Sequence, residues 1–152
     1  MSRQVSLITP VKNSMVLMQL RDFDERIAYP GQWAFFGGQV ENDESPLQAA
    51  YRELKEEIGY IPSEIALLGK TRSEEKLSDD VTLIHHIYSC KLRVPIEALS
   101  LNEGIDLKLV SKEEFASGKI YSQKLRQAYE VAKHPVIEKY FWKSLSGQRV
   151  TV

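Results

Sequence analysis

The sequence predicts an α+β fold, an α/β/α sandwich with a mixed β-sheet between helices. Three observations predict it. Apolar runs suited to β-strands, such as Met15–Leu20 and Val81–Leu92, stand on both sides of one strongly marked helix. That helix has apolar residues at a 3.6-residue period and stops at Gly59. Further helix starts follow late in the chain, at Ser111 and around Pro135.

Taken in order, Val5–Val11 and Met15–Leu20 are strands, and Lys12-Asn13-Ser14 between them reads as a hairpin turn. Arg21–Gln32 is a polar connection that closes on the turn signal Tyr29-Pro30-Gly31. Trp33–Phe36 is a short strand running into Gly37-Gly38. The main helix starts with Ser45 as N-cap and Pro46 in the first helical position, and Gln48 completes a Ser-x-x-Gln capping box. Leu47, Ala50, Tyr51, Leu54 and Ile58 form its core-facing stripe. Ile65–Thr71 and Val81–Leu92 read as longer strands, and Asp106–Val110 as another. Ser111 caps a short helix with Glu114 as its box partner, and Leu125–Lys133 and Val136–Trp142 read as two helices divided by Pro135. Without repeats, low-complexity tracts or linkers, residues 1–152 read as one domain.

Composition narrows the function. The 152 residues are 43% hydrophobic and 27% charged, an ordinary globular balance with enough chain for a sizeable core. Twenty basic residues against twenty-one acidic ones lack the basic excess of a nucleic-acid binder, so nucleic acid is not an expected partner. A small polyphosphate is still compatible, since local charge and metal ions govern its binding. Cys90 is the only cysteine, which excludes an intramolecular disulfide and fits a reducing cytoplasm. The first residues lack a signal-peptide apolar region, and no stretch reaches the ~20 apolar residues of a membrane span. A cytoplasmic protein without a membrane partner is expected, and the sequence leaves a homodimer open.

At ~100° per residue, Glu53, Glu56 and Glu57 share the helix sector next to the apolar stripe, with Arg52 and Lys55 on the remaining side. Like charges this close destabilise a helix on their own account. A solvated acidic face is the ordinary explanation for such a pattern. Clustered oxygen ligands are also what Mg²⁺ or Mn²⁺ requires, and a bound cation offsets the repulsion. Gly37-Gly38 just upstream lets the backbone approach a ligand closely.

Gly38, Glu44 and the run Arg52-Glu53-Leu54-Lys55-Glu56-Glu57-Ile58-Gly59-Tyr60 together resemble the signature box of the Nudix (MutT-like) hydrolases. All seven strictly specified positions agree: Gly38, Glu44, Arg52, Glu53, Glu56, Glu57 and Gly59. Tyr60 departs mildly, because the family prefers an aliphatic residue there. A chance match at a given start is on the order of 10⁻⁹. The resemblance implies a Nudix fold and a loop–helix–loop metal site. Carried over by residue, Glu56 and Glu57 are the principal metal ligands, Glu53 is a ligand or the base, and the Gly37 carbonyl is a backbone ligand. Glu44 supports the site or an outer ion, and Arg52 orients a carboxylate. The implied activity is Mg²⁺- or Mn²⁺-dependent hydrolysis of a diphosphate linkage in a nucleoside di- or triphosphate, or in a nucleoside-diphosphate-linked molecule. Coenzyme A, nucleotide-sugar and ADP-ribose diphosphatases are rivals, as is a Nudix-fold binding module without catalysis.

Outside the box, Glu103 precedes Gly104 in a late loop, where relatives often carry a glutamate that binds metal or acts as base. Arg21 and Arg26, in the long connection, are candidates for substrate binding. Trp33 could stack on a base, and one of the adjacent His85 and His86, most simply His86, could line the pocket. His134 reads as a surface residue, and nothing around Cys90 marks it as a nucleophile.

Overall fold

The computed structural model describes residues 2–77 and 81–146, with side chains for 2–72 and 82–146. Its order is β1 (Ser2–Lys12), β2 (Met15–Leu20), β3 (Trp33–Ala34), β4 (Phe36–Gln39), α1 (Pro46–Ile58), β5 (Ile65–Leu77), β6 (Val81–Lys91), β7 (Asp106–Val110), α2 (Lys112–Ser117), β8 (Lys119–Ser122), β9 (Gln127–Glu130) and α3 (Pro135–Leu145). Asn13 and Ser14 both take positive φ, 52° and 60°, which turns the β1–β2 hairpin with the twist of its strands.

Seven strands make one mixed sheet. β1 runs parallel to β6 from Ser2 to Val11, but meets β2 only at Val11 and Lys12, next to the turn. Beyond the turn the two hairpin strands separate. β4 takes the free edge of β1, Val5–Ile8 against Gln39–Phe36, while β3 pairs with β2 at Gln19 and Leu20. The expected single strand Trp33–Phe36 is therefore broken at Phe35, where the chain crosses the fork from one hairpin strand to the other.

Strand alternation divides the core into two layers. Val16, Met18 and Leu20 face one cluster with Phe115 of α2 and Ile137, Tyr140 and Phe141 of α3. Leu17, one residue out of phase, faces the other with Ile8, Phe36, and Ala50, Leu54 and Ile58 of α1. The sandwich expected from the sequence is thus formed by α1 on one face and α2 with α3 on the other. Phe115 and Phe141 stack across the second layer with centroids 3.8 Å apart.

Three readings require correction. Leu125–Lys133 is not helical: its centre is β9, paired with β8 in a separate two-stranded sheet. Leu125 and Arg126 lie in the turn of that hairpin, Arg126 with φ 56°. Val131 bridges to Trp33, so sheet pairing and burial of Ile120 and Val131 override the helix propensity of the segment. Leu47 is 41% exposed near the start of α1, and Ala49 is buried instead. His134 is buried rather than on the surface, and its Nδ1 accepts from the Val136 N–H as the N-cap of α3.

Both predicted capping boxes form, Ser45 with Gln48 and Ser111 with Glu114. The Ser45 Oγ accepts from the Gln48 N–H at 3.1 Å, and the Gln48 side chain accepts from the Ser45 N–H at 2.7 Å. Ser45→Ala removes one of these bonds at an exposed end, so it should cost about 1 kcal/mol. Urea denaturation followed by circular dichroism measures this, and an unchanged midpoint would show that α1 does not depend on the cap.

Candidate active site

The site is built where α1 crosses the fork. Glu57 lies on the sheet side of α1 and is 2% exposed. Its carboxylate is met by two donors from the sheet. Gln19, the one polar residue of β2, donates from Nε2 to Glu57 Oε1 and to the Phe35 carbonyl, each at 3.1 Å. The Gly37 N–H donates to the other oxygen, Oε2, at 3.0 Å.

Glycine is required at the first of two neighbouring positions, and at the second it leaves room for the Glu53 side chain. Gly37 has φ 146°, and a Cβ there would run into the Ser6 carbonyl of β1. A Cβ on Gly38 would collide with the Glu53 carboxylate. Helix and strand thus pack backbone against carboxylate, with no side chain between.

Arg52 organises the outer side of the helix. Its Nε and one terminal nitrogen grip Glu44 as a fork, with distances down to 2.6 Å. That nitrogen also donates to the Gln39 carbonyl at 3.0 Å. The other donates to Glu53 Oε1 at 2.9 Å and Glu56 Oε2 at 3.2 Å. One guanidinium therefore orients three carboxylates and ties the helix to the loop before it.

The loop after the 3₁₀ turn Ile96–Ala98 closes the other end. The Ser100 N–H donates to the Ile58 carbonyl, and Asn102 donates its backbone N–H to Glu57 and its side-chain Nδ2 to Glu56, all at 3.0 Å. These bonds satisfy carbonyls that a helix end leaves free. They also bring Glu103 close enough that its charge raises the proton affinity of both Glu53 and Glu57.

Two environments act on identical side chains. Arg52 holds Glu44 down at about 2. Burial pushes Glu57 up to about 8, with the Glu53 and Glu103 charges adding to it and the Gln19 hydrogen bond opposing it. Burial also raises Glu53, against the pull of Arg52. Negative charge is thus gathered beyond what one arginine balances, in an all-oxygen setting that fits a hard divalent cation. Among the described residues no three His, Cys, Asp or Glu side chains close into a compact cage. Donors spread along a helix face suit an ion that keeps waters and shares ligands with substrate phosphates.

Other candidates fall elsewhere. Trp33 is corrected from a stacking residue to a core residue: it is fully buried, and its indole N–H donates to the Ile120 carbonyl at 3.0 Å. Arg26 is exposed and paired with Asp24, while the Arg21 Nε donates to the Ala28 carbonyl at 2.6 Å and folds its own loop. His86 is buried on β6, shares a hydrogen bond of 2.7 Å with Gln4, and burial lowers its proton affinity. Burial raises the Cys90 thiol to about 12, which removes it as a nucleophile. Two residues that hold the candidate site do not stand out in the sequence: Gln19 has a signal, as a lone amide inside an apolar strand, and Asn102 has none beyond its place next to Glu103.

Comparison with known proteins gives a consistent frame. A NUDIX domain model matches residues 2–131. An RNA pyrophosphohydrolase of Halorhodospira halophila is 55% identical over 40 residues, covering 26% of this chain and 22% of that protein. The chain matches only about a quarter of the length of such curated relatives. A NUDIX hydrolase from Nitrosomonas europaea superposes with a TM-score of 0.71 at 15% identity, over 98% of this chain and 92% of that one. The MutT protein of Methanosarcina mazei Go1 gives 0.68 at 18%, over 95% and 92%. These two likenesses show the fold.

Glu57 takes up a proton more readily in the fold than in the unfolded chain, where its ordinary value is 4.5. Its protonated form favours the fold below that value, and the contribution is lost as pH rises from 4.5 through about 8. With EDTA present, Glu57→Gln should therefore gain in melting temperature over the wild type between pH 5 and pH 8.5. A difference that stays constant across that window would overturn the assignment.

Proposed function

Because the chain belongs to the NUDIX domain family, we propose that it is a divalent-metal-dependent hydrolase that cleaves a diphosphate linkage in a nucleotide-like substrate. The supporting observation is the Glu57 carboxylate, buried between Gln19 and Gly37 and crowded by Glu53 and Glu103. A buried cluster of this sign is costly without a cation.

Glu53, Glu56, Glu57 and the Gly37 carbonyl are the groups that would hold Mg²⁺ or Mn²⁺. When bound, such an ion neutralises the diphosphate oxygens and acidifies a water. The remaining work falls to the chain itself. Glu53 or Glu103 accepts the proton of the attacking water. Arg52 holds the Glu53 and Glu56 carboxylates together through one terminal nitrogen, with Glu44 as its counter-charge. Gln19 and Gly37 fix Glu57 in one rotamer, so the donor set is preorganised.

The substrate read from the box is a nucleoside di- or triphosphate or a nucleoside-diphosphate-linked molecule. A second reading, the 5′-phosphorylated end of an RNA, draws on the names of the matching relatives. Product identification after incubation with a nucleoside triphosphate and with a 5′-triphosphorylated oligonucleotide separates the two.

Glu57→Gln should lower kcat by several orders of magnitude in Mg²⁺, and chelation should abolish turnover of the wild type. Near-normal turnover in the variant, or activity in excess EDTA, would overturn the metal assignment. Glu103→Gln tests the base. It should lower kcat far more than it raises KM and shift the acidic limb of the pH–rate profile. Unaltered kcat with an unchanged profile would leave Glu53 as the base.

A further inference from the structure

A cavity of about 820 Å³ opens at the turn end of β1, away from the carboxylates. It lies between the β1–β2 turn, the start of β5, the end of β6 and the last turn of α3. Gly37 and Gly38 pair with Leu7 and Ser6 of β1, whereas the cavity begins at Val11. At ~3.3 Å per residue the two are roughly 15 Å apart along the strand. Tyr51 of α1 lines the cavity, and it points away from Glu53, two residues on and therefore nearly opposite around the helix.

The charge of this cavity is unlike that of the chain. Lys12, Lys91, Arg93 and Lys143 line it against a single acid, Glu64. Over the whole chain, by contrast, basic residues number 20 against 21 acids. Two of the four cations are already held: the Lys12 Nζ donates to the Val94 carbonyl at 3.1 Å, and the Lys143 Nζ lies 5.5 Å from the Tyr140 ring. Held cations lose less side-chain entropy when they meet an anion. The walls are firm as well. The Ser144 hydroxyl shares a 2.7 Å hydrogen bond with Thr9 of β1 and donates to the Tyr140 carbonyl at 2.6 Å.

Tyr51, Ile65, Leu68 and Leu92 add apolar lining to the same cavity. Cationic and apolar side chains lining one cavity suit a ligand with both a phosphate and a planar or apolar body. The volume falls in the range of small-molecule sites, and the cavity is open to solvent on the side of the exposed Lys91 and Arg93. We propose that this cavity is a second binding site, separate from the carboxylate face, for a phosphate-bearing ligand of mononucleotide size. The site does not depend on the catalytic reading, because none of the groups assigned to diphosphate hydrolysis lines it.

AMP is a suitable probe: it has no diphosphate linkage to hydrolyse, and EDTA withdraws the divalent ions that the carboxylate site would need. Titration of AMP into the full chain in EDTA, followed by calorimetry and by amide shifts, should give saturable binding. The shifts should fall at Lys91–Arg93 and Lys143–Leu145 and spare Gly37 and Gly38. The charge reversal K91E/R93E should weaken binding by about tenfold or more, with the melting temperature unchanged. K143E alone should weaken it too, and covers the case in which the double variant fails to fold. Shifts centred on Gly37 and Gly38, equal affinity in the variants, or inorganic phosphate binding as tightly as AMP would each overturn the proposal. So would binding of a single-stranded oligonucleotide through these cations without binding of AMP, since the face would then follow a nucleic-acid backbone.

Discussion

The arrangement depends on one buried carboxylate. Glu57 joins three segments far apart in sequence: the Gln19 amide lies 38 residues away and the Gly37 N–H 20 residues away. Removing a carboxylate from water costs several kcal/mol, and two hydrogen bonds offset only part of that. The cost is tolerated because the same two bonds close the fork between β1 and β2. Gln19 fills that fork and holds the Phe35 carbonyl, where the chain steps from β3 to β4. The position of Glu57 and the break in the strand before it are thus one structural fact. Loss of the acid would leave the Gln19 amide with the Phe35 carbonyl alone and deprive the Gly37 N–H of the Glu57 oxygen.

Arg52 forms a second layer with a different task. It satisfies Glu44, Glu53, Glu56 and the Gln39 carbonyl together, so the loop before the helix and the helix itself share one cation. The effects on proton affinity diverge. Glu44, gripped at the surface, stays ionised at any ordinary pH, while Glu57, withdrawn from solvent and beyond the reach of Arg52, holds its proton to about 8. Environments that separate identical groups in this way hold them in different protonation states over the same range of pH.

The parts legible in the sequence were those that local chemistry fixes. Ser45, Pro46, Gln48 and Gly59 mark the ends of α1 because caps and left-handed termini act within a few residues. The clustering of Glu53, Glu56 and Glu57 follows from helical spacing alone. What could not be read depends on distant partners. Gln127–Glu130 pairs as a strand because β8 and the bridge from Val131 to Trp33 accept it, and neither is visible in its own residues. Trp33 was open to two readings because burial decides between stacking and core, and burial belongs to the whole fold. Leu47 fits the apolar stripe by phase, but it sits a turn too early for the sheet to cover it.

A net charge of −1 also hides where the charge lies. Glu53, Glu56 and Glu103 gather on the side of α1 that faces Gly38, while Lys12, Lys91, Arg93 and Lys143 line a cavity at the turn end of β1. Opposite charges separated by more than a Debye length do not cancel one another in salt; each end sets its own local potential. Exclusion of anionic partners on total charge therefore has force only where charge is evenly spread, and on this chain it is not. An anion nearing the carboxylate face meets repulsion unless cations accompany it, whereas one nearing the turn end of β1 meets lysines and an arginine directly. The central strand β1 thus runs between a face rich in carboxylates and an end rich in lysines and arginine.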